Sequence, residues 1–141
     1  MQKVGDLLDV KGSEFVSISP GATVADAVAK MAEMSIGSLL VMQDGALSGI
    51  VTERDYARKV VAGGMSSENT LVSDIMTADV FTTDVEQNID ECMMLMTEKR
   101  IRHLPVVDGD TVLGIISIGD LMKAIVSDNQ RALGALDQLA D

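Results

Sequence analysis

Apolar residues along this chain recur with the spacing of a helix in some stretches and of a β-strand in others. These stretches follow one another in the same order in both halves of the chain. Apolar residues three and four positions apart predict a helix that begins after Thr23 and another from Asn88 to Lys99. Pairs of β-rich apolar runs joined by short polar turns predict two hairpins. The predicted strands are 15–19, 38–42, 47–51, 80–82, 103–107 and 112–116. A closing helix in each half, from Thr52 to about Val61 and from Ser117 to about Val126, completes the order β-α-β-β-α twice.

The two halves are an internal duplication. A shift of 65 positions places Gly114, Ser117 and Asp120 on Gly49, Thr52 and Asp55 without a gap. A repeat in register over helix, hairpin and second helix indicates a duplicated structural unit, because chance similarity would not preserve the spacing. The pattern therefore predicts an α/β (α+β) fold built from two copies of one small unit that share a core.

A recurring apolar stretch and a Gly- and Ser-rich segment predict where each copy begins and ends. A short apolar stretch at 4–8 recurs at 72–76, and the Gly- and Ser-rich residues between the copies read as a linker. The C-terminal residues show helical spacing of Leu133, Leu136 and Leu139 but have no counterpart in the first copy. The expected organisation is repeat 1 at 1–62, linker at 63–71, repeat 2 at 72–126 and a helical tail at 127–141.

Composition limits the classes of protein that this chain can belong to. A net charge of −11, from 22 acidic against 11 basic residues, disfavours binding to nucleic acid or to an anionic membrane. No apolar run reaches the length needed to cross a bilayer, and the first residues lack the apolar core of a signal peptide. The single cysteine, Cys92, leaves no internal disulfide and fits a reducing compartment. We therefore expect a cytoplasmic protein.

The few basic residues are concentrated in two short windows beside the repeated motifs. Arg54, Arg58 and Lys59 form the first group. Lys99, Arg100 and Arg102 form the second, next to the only histidine, His103. Local positive charge in an acidic chain favours a small anionic ligand over a polyanion. An alternative is that several of these cations only form salt bridges or balance the C-terminal ends of helices.

Both copies carry the pattern Ser/Thr-x-x-Asp where a strand leads into a helix, as TERD at 52–55 and SIGD at 117–120. One interpretation is structural, because a hydroxyl and an acidic residue three positions apart form a helix N-terminal cap. The other is a binding site, because a short aspartate arm can project a carboxylate toward vicinal hydroxyls beside helix N–H groups that suit phosphate. The pattern alone leaves both interpretations open.

The duplicated motifs GIVTERD and LGIISIGD, the second preceded by IRHLPVVD, resemble a pair of cystathionine-β-synthase-type (CBS) domains. The resemblance covers about residues 1–126. It implies two CBS repeats packed by pseudo-twofold symmetry, with two clefts that bind adenosine derivatives. The expected ligand is AMP first, with ATP, ADP, NAD or S-adenosylmethionine as the other members of the class, and no catalytic cofactor is implied.

The resemblance also assigns roles to individual residues. It implies that Asp55 and Asp120 hold ribose hydroxyls, with Thr52 and Ser117 as their hydroxyl neighbours. Phosphate would be held by Arg102, His103 and Arg54. Adenine would be held by apolar and backbone groups of the opposite repeat, at Val16, Ile36 and Gly37 for the Asp120 cleft and at Val80 and Ile101 for the Asp55 cleft.

The two clefts are not expected to be equivalent. Gly37 replaces Arg102 in the first copy, and Gly119 replaces Arg54 in the second, so the cations differ. No metal-ligand spacing, phosphate-binding loop or nucleophile constellation is evident, so we do not expect an enzyme. The leading hypothesis is a homodimeric regulatory and signal-transduction module that senses energy or redox state and reports to an unknown protein partner. The alternatives are a ligand-free dimeric scaffold, a partner-binding regulatory subunit and an unrecognised nucleotide-processing enzyme.

Overall fold

The structure, a computed structural model, describes residues 3–140, without the side chains of 131–133 and 135–140. It contains six α-helices, a short π-helix and five strands within that range. Their order is α1 Val4–Lys11, β1 Ser17–Ile18, α2 Val24–Met34, β2 Ser38–Gln43, β3 Ala46–Thr52, α3 Glu53–Asp55, the π-helix Tyr56–Val61, α4 Val72–Ile75, α5 Ile89–Lys99, β4 His103–Asp108, β5 Thr111–Ser117 and α6 Ile118–Ala140. This mixed fold with a C-terminal helix confirms the predicted class.

The chain forms two compact units. The first-repeat unit comprises Glu14–Phe81 with Gly109–Val112, and the second-repeat unit comprises Met1–Ser13, Thr82–Asp108 and Leu113–Asp141. Helix α1 begins the first repeat in sequence, yet it belongs to the second-repeat unit.

The first-repeat unit is built on a three-stranded sheet with the order β1-β2-β3. Its hairpin turns at Asp44 and Gly45, whose φ angles of 54° and 80° are the positive values that a tight two-residue turn requires. Helix α2 begins where the sequence predicts, because Oγ1 of Thr23 accepts from the backbone N–H of Asp26 over 3.1 Å. The buried core of this unit combines residues of α2, the sheet, the π-helix and α4: Val24, Ala27, Met31, Leu39, Val41, Val51, Val60, Val72 and Ile75.

The second-repeat unit packs helices α1, α5 and α6 with the β4-β5 hairpin. Its buried core draws on all of these elements: Val4, Leu7, Leu8, Ile89, Cys92, Met96, Leu104, Val106, Ile116, Leu121 and Ala124. Cys92 is buried on α5, with Sγ 3.4 Å from Oγ1 of Thr83. Burial is the main reason that the pKa of this thiol is raised.

The predicted strand at 80–82 is wrong. Only a single parallel bridge forms, between Thr83 and Val106. The equivalent strand β1 exists because the backbone N–H of Leu40 donates to the carbonyl of Val16 over 3.1 Å. In the second repeat the position of Leu40 is occupied by Pro105, which has no N–H to extend the pairing.

Both closing helices also differ from the prediction. The helix expected from Thr52 to Val61 divides into α3 and a π-helix, in which the N–H of Ala62 bonds back to the carbonyl of Ala57. Helix α6 continues through Val126 to Ala140, so the predicted tail extends the same helix. The side chains of the tail leucines at 133, 136 and 139 lie outside the described residues.

Two equivalent glycines provide a test of this packing. A Cβ on Gly49 would lie 2.7 Å from the backbone carbonyl oxygen of Thr77, whereas a Cβ on Gly114 would meet the flexible tip of Leu8 at 3.1 Å. Gly49→Ala should therefore lower the free energy of unfolding by about 1–3 kcal/mol. Gly114→Ala should lower it by less than about 1 kcal/mol, because the leucine can move and alanine restricts the unfolded chain.

Urea denaturation of the two variants beside the parent chain measures both values. Equal losses would contradict the prediction, because only Gly49 has backbone as its nearest neighbour.

Candidate functional site

The second strand-to-helix junction holds Ser117 and Asp120 in reciprocal contact. The backbone N–H of Ser117 donates to Oδ2 of Asp120 over 2.8 Å, and the N–H of Asp120 donates to Oγ of Ser117 over 3.1 Å. These bonds cap the first turn of α6, whose N–H groups have no partner within the helix. They also hold the carboxylate at the end of β5, where its side chain is 21 % exposed.

Lys11 completes this site, although it is absent from the sequence prediction. Its Nζ donates to Oδ2 of Asp120 and to the carbonyl oxygen of Ile115, both over 2.6 Å. The lysine lies at the end of α1, outside both repeated tetrads, so the motif gave no reason to select it. The available signal was weak: Lys11 is one of only eleven basic residues and lies three positions after the recurrent apolar stretch.

The pKa of the Asp120 carboxyl is lower than its ordinary value. Burial acts in the opposite direction and raises the pKa, but the hydrogen bonds from Lys11 and from the Ser117 backbone outweigh it. Asp120 is therefore an ionised acceptor near neutral pH. The hydrogen bonds from Lys11 and from the backbone N–H of Ser117 both go to Oδ2.

Arg102 and His103 lie in the same unit at the start of β4. The carbonyl of Arg102 accepts from the backbone N–H of Ile118 over 2.8 Å, which ties the start of β4 to the start of α6. Burial lowers the pKa of His103 most strongly. The charge of Lys11 lowers it further, Asp120 raises it, and Arg102 lowers it again. His103 is consequently neutral at pH 7.

The first junction repeats the cap but engages its aspartate more completely. Oδ2 of Asp55 accepts from the backbone N–H and from Oγ1 of Thr52, over 3.0 and 3.1 Å. Oδ1 lies 3.4 Å from Nζ of Lys59, which also donates to the carbonyl of Ile75 over 2.7 Å. Both carboxylate oxygens of Asp55 therefore have partners in the protein, and its side chain is 13 % exposed.

The other predicted residues of the first-repeat unit lie around this junction. The carbonyl of Gly37 accepts from the N–H of Glu53 over 3.0 Å, as that of Arg102 does in the second repeat. Arg54 is exposed on α3. Four residues assigned to adenine contacts are half-buried: Val16, Ile36, Val80 and Ile101.

The predicted pairing of residues across two clefts remains a prediction. Val16, Ile36 and Gly37 belong to the first-repeat unit, whereas Asp120 belongs to the second-repeat unit. Ile101 belongs to the second-repeat unit, whereas Asp55 and Val80 both belong to the first-repeat unit. Within single units, the structure brings Ser117 and Asp120 together with Arg102 and His103.

The second junction combines one partly exposed carboxylate with the positive charges of Lys11 and Arg102. Such an arrangement can accept hydrogen bonds from hydroxyl groups and attract an anion to the N-terminus of α6. Among the side chains that the structure describes, no group of three or more His, Cys, Asp or Glu residues could hold a metal ion. Across the described range, no helix is both long enough and apolar enough to cross a membrane.

Comparison with known proteins identifies the class. The chain matches the CBS domain at residues 4–62 and again at residues 72–127. It therefore belongs to the CBS domain family, which confirms the resemblance seen in its repeated motifs.

Three individual proteins illustrate the relationship. The mitochondrial CBS domain-containing protein CBSX3 of Arabidopsis thaliana is 42% identical, over 95% of this chain and 69% of its own length. A putative signal-transduction protein with CBS domains from Burkholderia ambifaria MC40-6 is 48% identical with a TM-score of 0.86, covering 89% of this chain and 95% of the other. The CBS domain pair of protein MJ0100, in complex with 5′-methylthioadenosine and S-adenosyl-L-methionine, shares the fold at 23% identity and a TM-score of 0.78, over 89% and 97% of the two chains.

These comparisons do not establish a compartment. The Arabidopsis relative carries a mitochondrial designation, so a cytoplasmic location stays a prediction for this chain.

His103 gives a testable dependence of stability on pH. Its pKa is lower in the folded chain than in the unfolded chain, so the unfolded state binds a proton first as the pH falls below about 6.5. The free energy of unfolding should therefore decrease between about pH 6.5 and the lower folded pKa. The slope can reach at most about 1.4 kcal/mol per pH unit for one proton.

Urea denaturation of the parent chain and of His103→Gln from pH 7.5 to 5.5 measures this effect. The variant should lose part of the slope, because glutamine does not titrate. An identical slope in both proteins would show that other groups cause the dependence.

Proposed function

We propose that this chain is a regulatory module that binds an adenine nucleotide. The candidate ligands are AMP, ATP, NAD and related adenosyl compounds. Binding would report energy or redox state to a protein partner, and we propose a homodimer as the working assembly. The arrangement around Asp120 carries this proposal.

The chemistry of the second junction suits a ribonucleotide. The hydrogen bonds from Lys11 and from the Ser117 N–H both go to Oδ2 of Asp120, and we propose Oδ1 as the acceptor for a ribose hydroxyl. Arg102 and Lys11 supply positive charge, and α6 presents its N-terminal end. A sugar hydroxyl and a phosphate thus find suitable partners in one unit.

The MJ0100 complex adds support at the level of the ligand class. That protein binds two adenosyl compounds on the same fold. Its identity of 23% supports the fold and not the particular residues, so the choice among nucleotides rests on experiment.

A scaffold without ligand is the second candidate, and one observation favours it. Both aspartates cap the helix that follows them, and Asp55 uses both of its oxygens within the protein. A carboxylate that is fully engaged in capping does not need a ligand to explain its presence.

Native mass spectrometry of the purified chain is the first experiment. It reports the mass of any nucleotide that copurifies and the oligomeric state in one measurement. An adenosyl compound bound to a dimer would support the proposal, whereas a ligand-free assembly of another size would favour the scaffold.

Aspartate variants then test the site itself. At about 100 times Kd, a bound nucleotide should raise the free energy of unfolding by roughly 2.7 kcal/mol. Asp120→Ala should abolish this stabilisation, because the sugar loses its acceptor. Asp74→Ala is the matched control, because Asp74 caps α4 in the same way by accepting from the N–H of Leu71 over 3.2 Å.

Thermal and urea unfolding with and without AMP, ATP or NAD measure the effect. Without ligand, Asp74→Ala should lose about 1 kcal/mol, the usual contribution of a cap. Asp120→Ala should lose at least as much, because it also removes the partner of Lys11. Asp74→Ala should keep the full response to ligand. Asp55→Ala in parallel reports whether the first junction also binds. A response that is unchanged in Asp120→Ala would contradict the assignment.

A further inference from the structure

Lys11 is the one cation in direct contact with the candidate sugar-binding carboxylate among the described residues. Its Nζ lies 2.6 Å from Oδ2 of Asp120, and the lysine side chain is 30 % exposed. The same ammonium group donates to the carbonyl of Ile115 over 2.6 Å. Lys11 therefore sits at the site with a defined geometry and remains within reach of solvent.

The contact with Lys11 uses acceptor capacity that a ribose would need. Each carboxylate oxygen offers about two acceptor positions. Oδ2 of Asp120 already accepts from the Ser117 backbone N–H and from Lys11, so both of its positions are in use. A pair of vicinal hydroxyls that spans both oxygens must therefore displace Lys11 from Oδ2.

The consequence of that displacement depends on the charge of the ligand. A neutral nucleoside would remove the ammonium group from its carboxylate and offer no anion in exchange. A nucleotide carries a phosphate that the flexible lysine side chain can contact instead, by a charge-assisted hydrogen bond. Arg102 and the N-terminus of α6 add positive charge around the same position.

We infer that Lys11 makes this site selective for adenine ribonucleotides that carry a phosphate over the neutral nucleoside, by exchanging the carboxylate of Asp120 for that phosphate. This inference rests on the proposed nucleotide-binding function. It adds a specificity-determining residue from α1, an element that lies outside both Ser/Thr-x-x-Asp tetrads.

The test compares AMP with adenosine, which differ only in the phosphate. Isothermal titration at fixed pH and low ionic strength gives both affinities for the parent chain and for Lys11→Met. In Lys11→Met the preference for AMP over adenosine should fall by about tenfold or more, since AMP loses a charge-assisted partner. Adenosine should bind equally well or more tightly, because nothing competes for Oδ2.

Two further variants act as controls. Lys11→Arg retains the charge and should retain most of the preference for AMP. Lys3→Met removes another lysine at the other end of α1, whose Nζ pairs with Glu86 over 2.9 Å. It should leave both affinities unchanged, and far-UV circular dichroism confirms that each variant is folded.

The outcomes separate the inference from the proposed function. A parent chain that binds neither AMP nor adenosine overturns the inference, and the proposed function is also overturned if ATP and NAD fail to bind. A parent chain that binds AMP, together with an unchanged ratio in Lys11→Met, overturns only the role of Lys11. If Lys11→Met tightens both ligands equally, Lys11 is a competitor for Asp120 alone, and the inference is also overturned.

Discussion

The reciprocal hydrogen bonds between Ser117 and Asp120 are the constraint on which the second half of the structure depends. They start α6 directly at the end of β5 and fix the carboxylate in one orientation. The same carboxylate receives Lys11, so it also attaches the end of α1 to this junction. One side chain thus caps one helix, anchors another and carries the candidate site. Removal of Asp120 must therefore affect stability and binding together, and a comparison with an ordinary capping aspartate is needed to separate them.

The two junctions have the same type of helix cap, but the lysine that contacts the aspartate is local in sequence at the first junction and distant at the second. Lys59 is four residues after Asp55, so that contact is local to one short helical segment. Lys11 is 109 residues from Asp120 in sequence and belongs to a different element. A ligand that takes the place of Lys11 on Oδ2 necessarily changes a contact of α1. The ligand can shift the position of α1 only by the difference between its binding free energies for the chain with and without the Lys11–Asp120 contact.

Sequence reasoning succeeded where the determining interactions are local. The caps at Thr52 and Ser117 follow from residue types three positions apart, and the hairpins follow from turn residues between apolar runs. It failed where one residue changes a non-local interaction. Pro105 removes the N–H that Leu40 supplies in the first copy, so the strand at 80–82 does not form. The contact of Lys11 with Asp120 depends on tertiary packing of α1, which no short motif records.

The partners of the basic residues also could not be predicted from local sequence alone. Clustered cations in a chain of net charge −11 favoured a small anionic ligand, with salt bridges as the alternative, and the described lysines at both junctions bond to oxygens of the protein. An anionic ligand that contacts Lys11 must therefore exchange partners with an existing ion pair. Exchange contributes less to affinity than binding to a free cation would, because a contact is lost for each one gained. It penalises any ligand that cannot supply the replacement anion, so the pairing favours selectivity over tight binding.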